Sequence, residues 1–197
     1  LEVLSVKQEI FEKEDGRILV MHIKRNGTIY CLINMYVVHV NDVKNEKLLE
    51  LKQRYVEWFI NLIKKYIREN ENIILMGDAN MARSITPYDL WIYHPRPHSQ
   101  PGFSELELRL FQKFFSNVKN DLIDVQKKYA PNKVQYSFYS QRTIIKNIFY
   151  KHNKGLVVDF VFISKHLYKY VKKFEIRKKD YEFNLSDHLP LRLDINI

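Results

Sequence analysis

Asp78 and Asn80 follow the apolar run 73–76 and stand two residues apart, so where that strand ends their side chains point the same way. A carboxylate and an amide then face one pocket. Asp159 lies inside a second apolar run, Leu156-Val157-Val158-Asp159-Phe160-Val161-Phe162-Ile163. An unpaired carboxylate buried there would be costly, so it needs a partner, and a histidine is the natural one. Asp187 and His188 are adjacent, just ahead of Leu189-Pro190-Leu191. On a regular strand they would diverge, and both serve one site only if the chain turns there. One carboxylate to activate water, a histidine oriented by a carboxylate, and a carboxylate for a divalent cation together suit metal-assisted hydrolysis of a phosphoester. Each piece alone says little, because Gly-Asp-x-Asn is commonly a turn held by side-chain hydrogen bonds. Ser-Asp-His is no more specific, and a single strand Asp is commonly a satisfied structural group. Their succession, each attached to an apolar run, is what points to a site at sheet edges.

The elements that must position these groups are legible in outline. Residues 18–23 and 28–40 read as strands, and Arg25-Asn26-Gly27 between them is a two-residue hairpin signal. Leu48, Leu51, Tyr55, Phe59, Leu62, Ile63 and Tyr66 recur at a helical period over about 45–70, which delivers the chain to the strand ending at Asp78. Pro87, Pro95, Pro97 and Pro101 forbid regular structure over 86–102. His94 and His98 invite a zinc reading, but they lie in that broken loop without further ligands, so a loop resting near substrate is expected instead. Ser104-Glu105-Leu106-Glu107 is a capping box opening a helix through Phe114, and 134–140 reads as a strand. Strands and helices alternating around a hairpin, with no glycine-rich βαβ motif, predict an α/β chain of two packed mixed sheets flanked by helices.

With these segments quoted, the chain resembles the endonuclease/exonuclease/phosphatase superfamily and, within it, the exonuclease III class of apurinic/apyrimidinic (AP) endonucleases. Ile33-Asn34-Met35-Tyr36-Val37 looks like the family's strand ending in a site tyrosine. Gly77-Asp78-Ala79-Asn80-Met81-Ala82, with Asp89-Leu90 downstream, resembles its GD-x-N-x-A segment, and Gly102-Phe103-Ser104 resembles the G-F-T segment of the AP endonuclease branch. Asp121-Leu122-Ile123-Asp124, Tyr129-Ala130-Pro131 and Tyr136-Ser137-Phe138-Tyr139-Ser140 follow the same pattern. The resemblance implies a four-layer α/β sandwich and cleavage of the DNA backbone 5′ to an abasic site, with 3′-exonuclease or 3′-phosphodiesterase activity beside it. It implies Mg2+ or Mn2+ as cofactor and double-stranded DNA with abasic sites as partner. By the same resemblance Asp78 and Asn80 handle the attacking water, and His188, held by Asp159, contacts the scissile phosphate. Tyr36 lies beside that phosphate and Asp187 contributes to the cation site. Phe138, Leu156 and Val158 wall the pocket for a flipped-out abasic sugar, where flipping is cheap.

The departures set further expectations. Ala79 replaces a larger apolar residue, His39 stands where an Asn that contacts phosphate is usual, and Leu156 replaces an aromatic that closes the sugar pocket. Residues 143–154 read as an insertion. The family opens with a strand bearing an Asn and another ending in a metal-ligating Glu, and nothing before Leu1 supplies either. Glu9, Glu12 and Glu14 belong to a polar stretch and do not stand in. Residues 1–197 are therefore expected to be a single domain holding roughly the later two-thirds of the family domain, with its first sheet incomplete, an exposed sheet edge or face, and weak or no activity in isolation.

Composition agrees with a polyanionic partner: 32 Lys and Arg against 23 Asp and Glu give +9, and a basic chain is drawn to nucleic acid through counterion release. Lys127-Lys128, Lys172-Lys173 and Arg177-Lys178-Lys179 are candidate backbone contacts, though each is as readily a solvated face. No run approaches the roughly 20 apolar residues of a membrane span. Cys31 alone cannot close an internal disulfide, which fits a reducing intracellular compartment, nuclear or organellar, and a monomer is expected. Two other readings share the same residues: a superfamily phosphatase or phosphodiesterase acting on inositol phosphates or lipids, and a non-catalytic nucleic-acid-binding module.

Overall fold

The computed structural model describes residues 1–86, 88–89, 100–139, 155–177 and 186–197. The loop histidines His94 and His98, the insertion 143–154, and Leu90, Ser140, Lys178, Lys179 and Leu185 lie outside them. Three strands open the chain: β1 (Glu2–Phe11), β2 (Glu14–Arg25) and β3 (Thr28–Tyr36). β2 and β3 pair antiparallel through the expected hairpin, whose turn residues Asn26 and Gly27 have φ of 51° and 80°. Asn and Gly tolerate that left-handed backbone, and the resulting twist matches the strands.

Helix α1 (Glu46–Glu69) follows, capped by Asn45, whose side chain accepts from the Leu48 amide. Its apolar stripe buries Tyr55, Phe59, Ile63 and Tyr66. Strand β4 (Ile73–Asp78) then enters parallel to β3. Helix α2 (Glu105–Val118) opens on the predicted capping box, with Ser104 and Glu107 bonded reciprocally. Strand β5 (Leu122–Asp124), helix α3 (Val125–Tyr129) and β6 (Asp159–Ser164) complete a six-stranded sheet of order β1-β2-β3-β4-β6-β5. β7 (Val171–Ile176) and β8 (Leu191–Ile195) form a second, two-stranded sheet. The result is the mixed α/β architecture predicted from the sequence pattern.

Residues paired across strands share a face. Ile18, Val20, Ile33, Met35, Leu75 and Phe162 are buried on one side, where the helices pack: Phe111 meets Phe160 and Phe114 meets Phe162, with ring centroids 4.8 and 5.5 Å apart. Cys31 is on this face too, and burial pushes its thiol up to about 11. The opposite face carries Val6, Leu19, Leu32, Ile74 and Met76. The small sheet covers some of it, leaving a cleft of about 640 Å³ lined by Leu32, Ile74, Met76, Leu189, Leu191 and Ile195. Val6 (56%), Leu19 (38%) and Met76 (38%) remain exposed.

Two elements differ from expectation. The opening polar stretch is a strand after all, bonded along its length to β2. Almost all of its residues are exposed, so no alternation of burial marks it in sequence. The strand predicted over 134–140 is reduced, within the described residues, to two isolated bridges at Phe138, to Leu156 and to His188. Its regular ladder is broken because the Ser137 and Phe138 amides both donate to the Leu156 carbonyl, while the Ser137 hydroxyl accepts from the Val158 and Asp159 amides.

Candidate active site

Gly77 lets the Asp78 end of β4 form. Its φ is 132°, and a Cβ there would collide with the Met35 carbonyl oxygen on β3. Any side chain must force the two paired strands apart, so Gly77→Ala is expected to cost on the order of 3 kcal/mol, seen as a lowered denaturation midpoint. Beyond it, Tyr36 pairs with Asp78 and Asp78 pairs with Asp159, so three adjacent strands bring these side chains to one face at one sheet end. The strand registers do what linear spacing alone could not specify.

Asn80 lies one step further, in the left-handed region at φ 48°. Its amide donates to Asp78 Oδ1 (2.7 Å) and its Nδ2 donates to the Val37 carbonyl (2.9 Å), which closes the turn around Asp78. Its Oδ1 accepts from His39 Nδ1 at 3.0 Å. His39, which also lines the cleft, thereby supports the Asn80 side chain. The chain bends at Asp187, so both members of the Asp187-His188 pair face the cleft, as required if both are to act. The His188 amide donates to Ser186 Oγ and its ring lies 5.0 Å from that of Phe138. His188 Nδ1 is 2.9 Å from Asp159 Oδ2, which supplies the half-buried carboxylate with its histidine, and Nε2 is 4.0 Å from Asp78 Oδ2.

The electrostatics follow from this crowding. Burial and the nearby Asp159 charge push the Asp78 carboxyl up to about 7, against the lowering effect of the Asn80 amide, His188 and Lys52. Burial opposes charge on His188, but the hydrogen bond and charge of Asp159, with Asp78 and Asp187 beyond, prevail and raise it to about 9. A protonated imidazole thus stands beside a carboxyl poised to exchange its proton near neutrality, the arrangement an acid–base site needs.

Ligand atoms of Asp78, Asp159 and His188 lie within 4.8 Å of one another, close enough to share one ion. Two carboxylates give the hard oxygen donors that magnesium or manganese takes, whereas the imidazole, protonated and bonded to Asp159, has no lone pair to offer an ion. Asp187 is on the rim of the same cleft and does not belong to that close group. The cleft, about 610 Å³, is lined by Tyr36, His39, Asp78, Asn80, Phe138, Leu156, Val158, Asp159, Asp187 and His188, and also by Pro101 and Gly102. All ten residues singled out in the sequence face one space. Phe138, Leu156 and Val158 make its apolar wall.

Sequence reasoning missed the residues that hold these groups. Ser137 fixes the backbone of Asp159, and nothing in its type announces that. Lys52, fully buried on α1, donates to the Asn80 carbonyl; its place on the apolar stripe one residue after Leu51 is a weak signal at best. Of the basic candidates, Lys173 is paired with Glu175 at 2.8 Å, and the Lys127 ammonium lies 5.6 Å from the Tyr88 ring centre.

No protein-family model matches the chain, and no curated protein matches it by sequence. Solved structures do. A 3′ phosphatase from Neisseria, bound to a product DNA hairpin, superposes with a TM-score of 0.82 at 16% identity, over 99% of this chain and 72% of that one. An AP endonuclease from Archaeoglobus fulgidus gives 0.78 at 23% identity, over 100% of this chain and 72% of that one. One from Leishmania major gives 0.69 at 22%, over 92% and 55%. The six-stranded sheet, its helices and the small sheet thus have the fold shared by these AP endonucleases and the 3′ phosphatase.

Proposed function

We propose that this chain is a divalent-cation-dependent DNA phosphodiesterase that hydrolyses the backbone 5′ to an abasic site. The observation that carries the reading is the convergence of Asp78, Asn80, Asp159 and His188 at one sheet end, beside the apolar wall of Phe138, Leu156 and Val158. Asp78, its proton exchangeable near neutrality, takes the proton of the attacking water, which Asn80 orients. His188, kept charged by Asp159, donates from Nε2 to the scissile phosphate, and Tyr36 lies beside it. The carboxylates would hold the cation, with Asp187 adding an oxygen from the rim; when bound, it neutralises charge that develops on the phosphate. The apolar wall suits a sugar that carries no base, and the net charge of +9 favours a polyanionic duplex.

A second reading concerns the 3′ end. The Neisseria structure is that of a 3′ phosphatase with a DNA hairpin, and an open cleft with His39 in place of Asn suits a terminal phosphate as well as an internal one. Two duplexes separate the readings: one with a single internal abasic analogue, one with a 3′-phosphate. Incision 5′ to the analogue that needs Mg2+ or Mn2+ and stops with EDTA is the expected result. Release of phosphate from the second duplex alone would move the assignment to the 3′ end. Absence of cation-dependent hydrolysis on both would overturn the reading.

A further inference from the structure

Lys52 and Glu107 are both completely buried, on helices α1 and α2. Lys52 Nζ donates to Glu107 Oε1 at 2.5 Å and to the backbone carbonyl of Asn80 at 2.7 Å. Glu107 Oε2 in turn accepts from the Ser104 amide (3.1 Å) and hydroxyl (2.8 Å). A buried ion pair is a weak stabiliser, because removing two charges from water costs as much as their attraction returns. Glu107 satisfies one of the three donors of the buried ammonium, and a further acceptor is needed that either helix could have supplied. The ammonium reaches instead to a residue that the backbone disfavours, since Asn80 is one of only three non-glycine residues with positive φ among those described. The same network fixes Ser104, which follows Gly102 and Phe103. Gly102 lines the cleft, and its carbonyl accepts from the Ala82 amide at 2.5 Å. Helix α1, the start of α2, the Gly102 segment and the Asp78–Asn80 turn are therefore tied at one buried point.

We infer that the Lys52–Glu107 pair is a positioning device: it holds Asn80 in its left-handed conformation and locks the catalytic turn to the Gly102 segment at the mouth of the cleft. This rests on the proposed hydrolytic role of Asn80 for its consequence in rate, and on geometry alone for its effect on conformation. Lys52 touches neither water nor phosphate. Its positioning influence passes through the Asn80 carbonyl and the short path back to Asp78, whose Oδ1 accepts the Asn80 amide. Its charge also lowers the Asp78 carboxyl directly, an effect that moves the acid limb of the pH profile and leaves the Asn80 backbone shifts unchanged.

Removing Lys52 alone would strand Glu107 in the interior and unfold the chain. The test is therefore the double variant Lys52→Met/Glu107→Gln, which keeps the shapes and removes both charges. It should remain folded, with a denaturation midpoint near that of the parent. Its kcat on abasic duplex should fall roughly 10- to 100-fold with KM little changed, because a turn displaced by a fraction of an ångström loses orientation and not binding. The Asn80 backbone 13C chemical shifts, assigned by their disappearance in Asn80→Asp, should move away from left-handed values. Lys52→Arg, which can keep both bonds, should recover some of the rate. A folded double variant with parental kcat and parental Asn80 shifts overturns the inference. If the parent itself cleaves no phosphoester, the proposed function fails, and the Asn80 shifts alone decide this one.

Discussion

Asp78→Asn is expected to reduce cleavage of abasic duplex by roughly 10³- to 10⁴-fold while leaving a protein that folds at least as well as its parent. The substitution keeps the size of the side chain and the Oδ1 that accepts the Asn80 amide. It removes the one carboxylate that can both take a proton from water and offer a charged oxygen to a cation. The gain in stability comes from the cost of the native charge. The Asp78 carboxyl titrates near 7 in the folded chain against an ordinary 3.8, because burial and Asp159 oppose its ionisation. The folded state thus holds this proton more tightly than the unfolded chain does. That contribution is complete below about pH 4 and is lost as pH rises through about 7. Asparagine has no proton to lose, so in cation-free buffer the variant should gain stability relative to the parent across that window, by on the order of 2 to 4 kcal/mol at its upper end. Denaturant melts at pH 5 and pH 8 measure the difference. A residue that weakens the fold while serving activity is characteristic of a working site. If Asp78→Asn cleaves at the parental rate, Asp78 is a turn residue and the proposed chemistry is wrong.

How much of this was legible in the sequence differs from group to group for physical reasons. The helix from 46 to 69 and the Ser104 capping box announce themselves because a 3.6-residue period and a cap are local patterns. Asp78 was readable as the polar end of an apolar run, whereas Asn80 reaches the cleft through a left-handed turn beyond the strand and not through strand alternation. The Asp159–His188 pair was foreseeable from the cost of a lone buried carboxylate, although its 2.9 Å geometry depends on a bend at Asp187 that no propensity encodes. β1 was not readable, since an edge strand exposed on nearly every residue leaves no alternation to detect. Lys52 was not readable either. A lysine at a helical position is normally solvated, and only the tertiary meeting of α1, α2 and the Asn80 turn makes it a buried donor.

The second large effect belongs to the Asp159–His188 pair. Asp159→Asn should lower cleavage at pH 8 by roughly 10²- to 10³-fold and shift the surviving activity toward acid. In the cation-free chain Asp78 titrates near 7 and His188 near 9, so Asp78 is ionised and His188 protonated between them. A cation held by the carboxylates lowers the Asp78 value and moves the acid limb of the parent below 7. Burial disfavours the imidazolium, and Asp159 is the main influence that restores it. Without that charge His188 loses its proton earlier, so the alkaline limb moves down from its parental position. The Asp159 charge also opposes ionisation of Asp78, so the acid limb moves down with it. The two groups interact, and the limbs report the pair more than either residue. Stability should follow the same logic: a His188 titrating near 9 against an ordinary 6.5 contributes fully below about 6.5, and that contribution fades as pH rises through 9. The variant should lack this alkaline loss. His188→Ala removes the proton altogether, so its residual rate should show no alkaline limb at any pH. Profiles of kcat/KM from pH 5 to pH 10 at one fixed saturating cation concentration provide the measurement. If both limbs of Asp159→Asn coincide with those of the parent, His188 is not the acid, and the 2.9 Å contact merely ties the bend at Asp187 to β6.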